Sequence, residues 1–235
     1  MKLFRWDVPG PYDVVFSTRE GGVSEGPFAT LNLGRKLGDV PERVDENRRR
    51  LCAGVGADVE RLALNYQRHT AAVHEARAGS RGETVGDGLC SDEAGLPVMA
   101  LGADCALIAL ARTNGDRPAV AVLHAGRQGL LAGIAEAGVA ALAGKAAAMI
   151  GPTIGPCCYE VGEEVAAPFR DRFGADVVRG RKLDLWTSAE RALREAGCCS
   201  VERLDLCTAC HPDLFFSYRR DGKPRGGHGV LARVT

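Results

Sequence analysis

The sequence predicts an α+β fold: one domain over residues 1–235, with mixed β-sheets at the core and flanking helices. Three observations carry this. Short apolar runs and runs of helical period follow one another without a strict strand–helix–strand rhythm, which argues against a doubly wound parallel sheet. No internal repeat, low-complexity tract or Pro/Ser-rich linker divides the chain. The residues are 46% hydrophobic and 26% charged, ordinary for a globular chain with a sizeable core.

In chain order, Val14-Val15-Phe16 reads as an early strand, followed by a turn-rich loop, Ser17 to Ser24. Asn32 lies between two leucines, so it either stitches the backbone or faces a ligand. Asp39-Val40-Pro41-Glu42 has the form of a helix start with Asp39 as N-cap, and the helix should run to about Gly54. Leu62 to Leu64 begins a strand that leads to Gln67-Arg68-His69. Glu83 to Asp92 is glycine-rich and acidic and predicts a loop, with Asp87 and Asp92 as turn formers. Val98 to Gly129 contains two apolar strand-like runs joined at Thr113-Asn114-Gly115-Asp116. Leu130, Leu131, Ile134, Val139 and Leu142 then mark one helix. A strand over 148–154, helices over 163–173 and 185–196, a short strand over 204–207 and a closing strand over 229–234 complete the reading.

Lysine plus arginine equal aspartate plus glutamate at 30 each, so no global field draws the chain to nucleic acid or to an acidic membrane. The cluster Arg179-Gly180-Arg181-Lys182 reads as solvated surface. No run approaches the ~18 apolar residues of a membrane span, and the first ten residues lack the apolar core of a signal peptide. A cytoplasmic chain with nine reduced cysteines is expected.

Chemistry concentrates where the two apolar runs end. The first carries Asp104-Cys105, and the second ends in His124-Ala125-Gly126. A thiol and an imidazole so placed suit either a metal site or a Cys–His nucleophile pair. His69 is a third candidate ligand, although the three positions form no local motif. Free N–H groups at the strand-to-helix junction after His124 would favour an anion. Cys207-Thr208-Ala209-Cys210-His211 matches a haem-attachment pattern, but that chemistry requires an exported chain. As half of a zinc site it needs a second half, and Cys198-Cys199 lack the spacing, so a structural role is expected.

The segments FSTREGGVS, LNLG, ENRRRL, ADC, HAG, IGPTIGPCCYEVG, LDLW and CHPDLFFSYRRDG occur in this order between about residues 14 and 222. Together they resemble the YfiH-like laccase-domain family, once called polyphenol oxidase and also described as a purine nucleoside phosphorylase. The resemblance implies a metal site of two histidines and one cysteine, carried over to His69, Cys105 and His124. Zinc is the implied metal, and copper accepts the same donors. It also implies a monomeric enzyme taking a small purine nucleoside and phosphate, with no nucleic-acid or membrane partner. The implied reaction is phosphorolysis of adenosine, inosine or methylthioadenosine to base and ribose 1-phosphate. Adenosine deamination would use a metal-bound water. Arg48, Arg127 and Asn32 are candidates for phosphate or substrate, and Asp104 for a general base or a group that orients a ligand.

Two departures mark this chain. Arg127-Gln128-Gly129 stands where the family has Trp-Arg-Gly, and Arg68 and Thr70 flank His69 where the family is small or apolar. Three other readings stand beside the purine enzyme: copper-dependent phenol oxidation, a metal-free Cys105–His124 hydrolase, and a non-enzymatic cell-wall quality factor. The first is weakened by the supply of only five histidines.

Overall fold

A computed structural model describes residues 1–115 and 117–235. Asp116, placed by the sequence in the connection after Thr113, lies outside the described residues. The first strands are β1 (Leu3–Arg5), β2 (Tyr12–Ser17), β3 (Ala63–Tyr66), β4 (Val73–Glu75), β5 (Arg81–Val85) and β6 (Gly88–Ser91). The middle of the chain supplies β7 (Val98–Gly102), β8 (Ala106–Arg112), β9 (Val120–Ala125) and β10 (Ala146–Ile150). A small hairpin, β11 (Val178–Arg179) and β12 (Lys182–Leu183), precedes β13 (Ser200–Arg203) and β14 (His228–Val234). The helices are α1 (Pro41–Ala53), α2 (Arg127–Leu131), α3 (Ile134–Ala141), α4 (Glu163–Phe173), α5 (Leu185–Glu195) and α6 (Tyr218–Asp221).

Two six-stranded mixed sheets result, in the orders β1-β2-β14-β7-β3-β5 and β13-β10-β8-β9-β6-β4. Their facing sides bury Phe16, Val98, Ala100 and Val230 against Leu107, Ala109, Val122 and Met149. The period-two alternation of β8 explains why it reads as unbroken apolar sequence. Leu107, Ala109 and Ala111 enter this inter-sheet core, while Ala106, Ile108 and Leu110 enter a second core beneath α3, α4 and α5. On the far side, Leu51 and Cys52 of α1 pack on Val15, Met99 and Leu231. The layers therefore run helix, sheet, sheet, helix, which agrees with the α+β expectation.

The differences from the sequence reading have local causes. Glu83 to Asp92 is not a loop: it supplies the end of β5 and all of β6, which pairs with β9. Gly88 is required there, since a Cβ would sit 2.7 Å from Val73 and 2.8 Å from Leu123. The apolar run 98–112 is two strands, one per sheet, broken at Asp104, whose φ is 99°. The helix after His124 is likewise two, α2 and α3, separated at Gly133 with φ 89°. Such a turn favours glycine, so the anion-binding helix start expected at Gly126 belongs to a five-residue helix. Asp39 is not the cap of α1; Val40 holds that place, and the Asp39 carboxylate accepts from Ser24 Oγ and Asn32 Nδ2. The strand expected over 204–207 lies earlier, at β13.

Candidate metal centre

The site lies where strands of both sheets end. His69 follows β3, Cys105 sits in the crossover between β7 and β8, and His124 is near the end of β9. The β8–β9 register pairs Leu107 with His124 and so holds Cys105 near the imidazole. Gln67 ties the third ligand in: its Nε2 donates to Leu101 O at 2.7 Å and its Oε1 accepts from Leu101 N at 2.8 Å. A side-chain amide thereby extends the pairing of β3 with β7 up to the turn that carries His69.

The turn itself wraps a buried carboxylate. Asp87 Oδ2 accepts from the backbone N–H of Arg68 (3.0 Å) and Thr70 (2.7 Å) and from Thr70 Oγ1 (2.9 Å). Asp87 Oδ1 accepts from His69 N at 2.9 Å and from His124 Nδ1 at 2.8 Å. His69 adopts φ 62° to let three successive N–H groups point inward. Burial opposes the charge on Asp87, but these donors outweigh it and hold the carboxyl far below the ordinary carboxylate range. One residue thus shapes the His69 turn and orients His124, in the manner of a carboxylate–histidine–metal relay. Read alone, the sequence marks Asp87 as a turn former. The only signal for more was its position in Gly-Asp-Gly, where small neighbours admit backbone on both sides.

With Nδ1 donating to Asp87, His124 turns its Nε2 to Cys105. Cys105 Sγ stands 3.8 Å from His69 Nε2, the imidazole centroids are 4.9 Å apart, and all three ligand atoms lie within 4.8 Å of one another. Burial would raise the Cys105 thiol, yet the adjacent imidazoles bring it down to about 6. Burial would likewise lower His124, but Cys105 and Asp87 raise it to about 10. Without a metal the pair favours thiolate and imidazolium, and the thiolate is the form that ligates. Gly126 keeps the space open, because a Cβ there would lie 2.8 Å from Cys105 Sγ and 3.0 Å from His69. Two imidazoles, one thiolate and a carboxylate behind one imidazole fit a zinc site with an open fourth position. Copper suits the same donors.

The other residues singled out in the sequence divide. Asp104 is buried beside Cys105, but both its oxygens are occupied, by Thr208 Oγ1 and by the N–H of Arg219, each at 2.6 Å. It positions rather than projects. Arg127 is exposed at the first turn of α2. Asn32 is fully buried, accepting from Gly34 N and Gly227 N and donating to Asp39. Arg48 turns inward, with Nε and Nη2 both on Leu33 O at 3.0 and 2.8 Å. Two arginines without an assigned role reach the site instead. Arg219 lies 5.2 Å from the Tyr159 ring, and Arg225, whose pKa burial lowers, lies 4.6 Å from the Tyr218 ring and has a buried Nε without a partner among the described residues. Tyr159 feels Cys105, Arg127 and Arg219 together, although burial is the main reason its phenol is raised.

Known proteins share the sequence and fold of the whole chain. The family described as "Multi-copper polyphenol oxidoreductase laccase" matches residues 13–234. The chain is 34% identical to "Purine nucleoside phosphorylase YfiH" of Shigella flexneri over 92% of each chain. It is 32% identical to "Purine nucleoside phosphorylase Cgl2154/cg2365" of Corynebacterium glutamicum over 94% of each. Among solved structures, YlmD of Geobacillus stearothermophilus superposes with a TM-score of 0.90 at 30% identity, covering 100% of this chain and 96% of that one. Neisseria meningitidis NMB0706 gives 0.89 at 31%, covering 100% and 99%. Fold, length and sequence therefore agree that the chain belongs to the laccase-domain family of multi-copper polyphenol oxidoreductase type.

Proposed function

We propose that this protein is a zinc-dependent purine nucleoside phosphorylase. The observation that carries the reading is the His69–Cys105–His124 cluster at the strand ends, bordered by Arg127, Arg219 and Arg225. The names of the Shigella and Corynebacterium relatives support the same activity. In phosphorolysis a phosphate oxygen forms a bond to C1′ of the ribose while the C1′–N9 bond breaks. The electron pair leaves with the purine, which takes up a proton, giving free base and ribose 1-phosphate. A dianion and a leaving base both call for fixed positive charge and donors.

Arginines suit the phosphate because their planar donors pair with its oxygens in two-point fashion. Arg127 opens α2, whereas Arg219 and Arg225 belong to the segment from α6 to β14, so an anion could be approached from two sides. Tyr159, raised by burial, keeps its proton at neutral pH and serves as a hydrogen-bond donor at the same rim. Asp104 fixes the backbone of Arg219, while Asp87 fixes His69 and His124. Zinc, when bound by His69, Cys105 and His124, would supply Lewis-acid polarisation, which also suits hydrolytic deamination of adenosine.

The test is turnover by zinc-loaded protein. Inosine with phosphate should release hypoxanthine and ribose 1-phosphate, and adenosine and methylthioadenosine should release their bases. Formation of inosine from adenosine without phosphate would report deamination. No base released from any of the three overturns the reading. The thiolate–imidazolium character of Cys105 and His124 also suits a metal-free cysteine hydrolase. That alternative predicts activity that survives chelation and is abolished by thiol alkylation.

A further inference from the structure

A second set of metal-type donors is present among the described residues. Cys157 and Cys158 follow β10, and Cys207 and Cys210 follow β13; all four sulfurs lie within 4.8 Å of one another. Backbone contacts join the two loops. Thr153 N donates to Leu206 O at 3.1 Å and Thr208 N to Thr153 O at 3.3 Å. The first cysteine loop turns back on Gly155, whose carbonyl accepts from the N–H of Cys158 (3.0 Å) and Tyr159 (2.9 Å). The second closes one turn, Cys210 N donating to Cys207 O at 3.2 Å. The half-site missing from the sequence reading of Cys207 and Cys210 is thus the adjacent pair Cys157-Cys158, not Cys198-Cys199.

Distances favour an ion at the centre. Cys210 Sγ lies 3.5 Å from Cys157 Sγ and 3.4 Å from Cys158 Sγ. Tetrahedral zinc with bonds of about 2.3 Å places its sulfurs roughly 3.8 Å apart. The N–H of Gly155 also donates to Cys207 Sγ at 3.2 Å, the kind of contact that stabilises a ligating thiolate. Four thiolates at this separation repel one another strongly unless a cation lies between them.

We propose that Cys157, Cys158, Cys207 and Cys210 form a second metal site, a closed four-sulfur site that takes zinc in a structural role. Binding one Zn²⁺ displaces the thiol protons to solvent, and no sulfur is oxidised or reduced. The ion would clamp two loops that stand behind the pocket. Thr208, inside the Cys-x-x-Cys turn, holds Asp104 at 2.6 Å, and Glu160, just after the Cys157-Cys158 pair, accepts from Arg219 Nη1 at 2.7 Å. Arg220 donates to the carbonyls of Thr208 and Ala209, which brings a cation close to a centre carrying excess negative charge.

The experiment counts metal and uses no turnover, so its failure is separate from that of the phosphorylase reading. Full-length protein is reduced, loaded with zinc, desalted and assayed for zinc per chain. The wild type should hold two equivalents, with one in His69→Ala and one in Cys207→Ser/Cys210→Ser. Cobalt-loaded His69→Ala should show the sulfur-to-cobalt charge-transfer bands of a tetrahedral four-sulfur site. In the wild type, zinc should protect all four cysteines from alkylation, mapped by mass spectrometry. This last readout needs no variant and holds even if the double serine chain does not fold. No zinc retained by His69→Ala, alkylation of the four cysteines unaffected by zinc, or a Cys157–Cys210 or Cys158–Cys210 disulfide in the reduced and metal-loaded protein would overturn the proposal.

Discussion

Replacing Asp87 by asparagine tests whether one carboxylate builds the metal centre. The side chain keeps its shape and loses only its second acceptor. In the wild type, five donors converge on it, three at Oδ2 and two at Oδ1. An asparagine whose carbonyl takes the Oδ2 place satisfies Arg68, Thr70 N and Thr70 Oγ1, but turns its NH2 towards two donors. His124 can adapt by losing its Nδ1 proton and accepting there, which leaves a neutral ring protonated at Nε2, the nitrogen that must shed its proton to ligate a metal. The N–H of His69 has no such escape, and an unsatisfied buried donor costs about 1–3 kcal/mol. With the loss of charge-assisted bonds, metal-free Asp87→Asn should be less stable by about 2–4 kcal/mol in urea unfolding. Zinc affinity, measured against a chromogenic chelator, should fall by about 10- to 100-fold, as for other orienting carboxylates. Unfolding within about 0.5 kcal/mol of wild type, with unchanged zinc affinity, would refute the assignment of Asp87.

Three further outcomes follow from contacts already described. Gly126→Ala has an allowed backbone, φ −77°, so its added methyl should leave the fold intact. Crowding of Cys105 and His69 should weaken zinc binding by about 1–3 kcal/mol, on the order of 10- to 100-fold, read in the same competition assay. Arg48→Met should lower stability by about 1.5–3 kcal/mol through loss of the two bonds to Leu33 O, while the KM for phosphate stays unchanged. A large rise in that KM would return Arg48 to the substrate site. His228 is completely buried, and burial together with Arg19 and Arg225 lowers its pKa from 6.5 to about 3. The folded state keeps the ring neutral while the unfolded chain takes up a proton, so its contribution to stability is full above pH 6.5 and is lost progressively towards pH 3. At pH 5 this amounts to about 2 kcal/mol, and His228→Leu should lessen the fall in stability between pH 7 and 5 by that amount. An identical fall in both proteins would show that the ring is paired when folded.

The three candidate ligands that the structure brings together were legible because imidazole and thiol are rare, chemically distinct groups and because the motifs around them resemble a known family. Helices α4 and α5 were legible from their apolar period and flanking turns. Asp87 was hidden, since an acid between two glycines looks the same whether it makes a turn or organises a site 37 residues away at His124. The four-cysteine cluster was hidden by distance. Its halves are brought together by the parallel pairing of β10 with β13 and the bridge of Thr153 to Cys207 beyond it, and adjacent cysteines do not carry the spacing of a zinc half-site. The break between β7 and β8 was hidden because both strands are buried on both faces, so apolar sequence runs through it with little punctuation. Arg219 and Arg225 follow from tertiary packing alone, and nothing in their local pattern separates them from surface arginines.

The amide of Gln67 has a consequence for how the site survives change elsewhere. By taking both the N–H and the carbonyl of Leu101, it acts as one more rung of a parallel ladder, beyond the last residue of β3. His69 is two residues past that rung on one strand, and Cys105 four residues past it on the other. The two ligands are therefore measured out from a common mark. Each is also tied to the second sheet, Cys105 through its neighbour Ala106, which pairs with Ala125 beside His124, and His69 through Asp87. Variation in the inter-sheet core is thus met at both ends of the site, so the three side chains should keep their spacing while the sheets shift elsewhere.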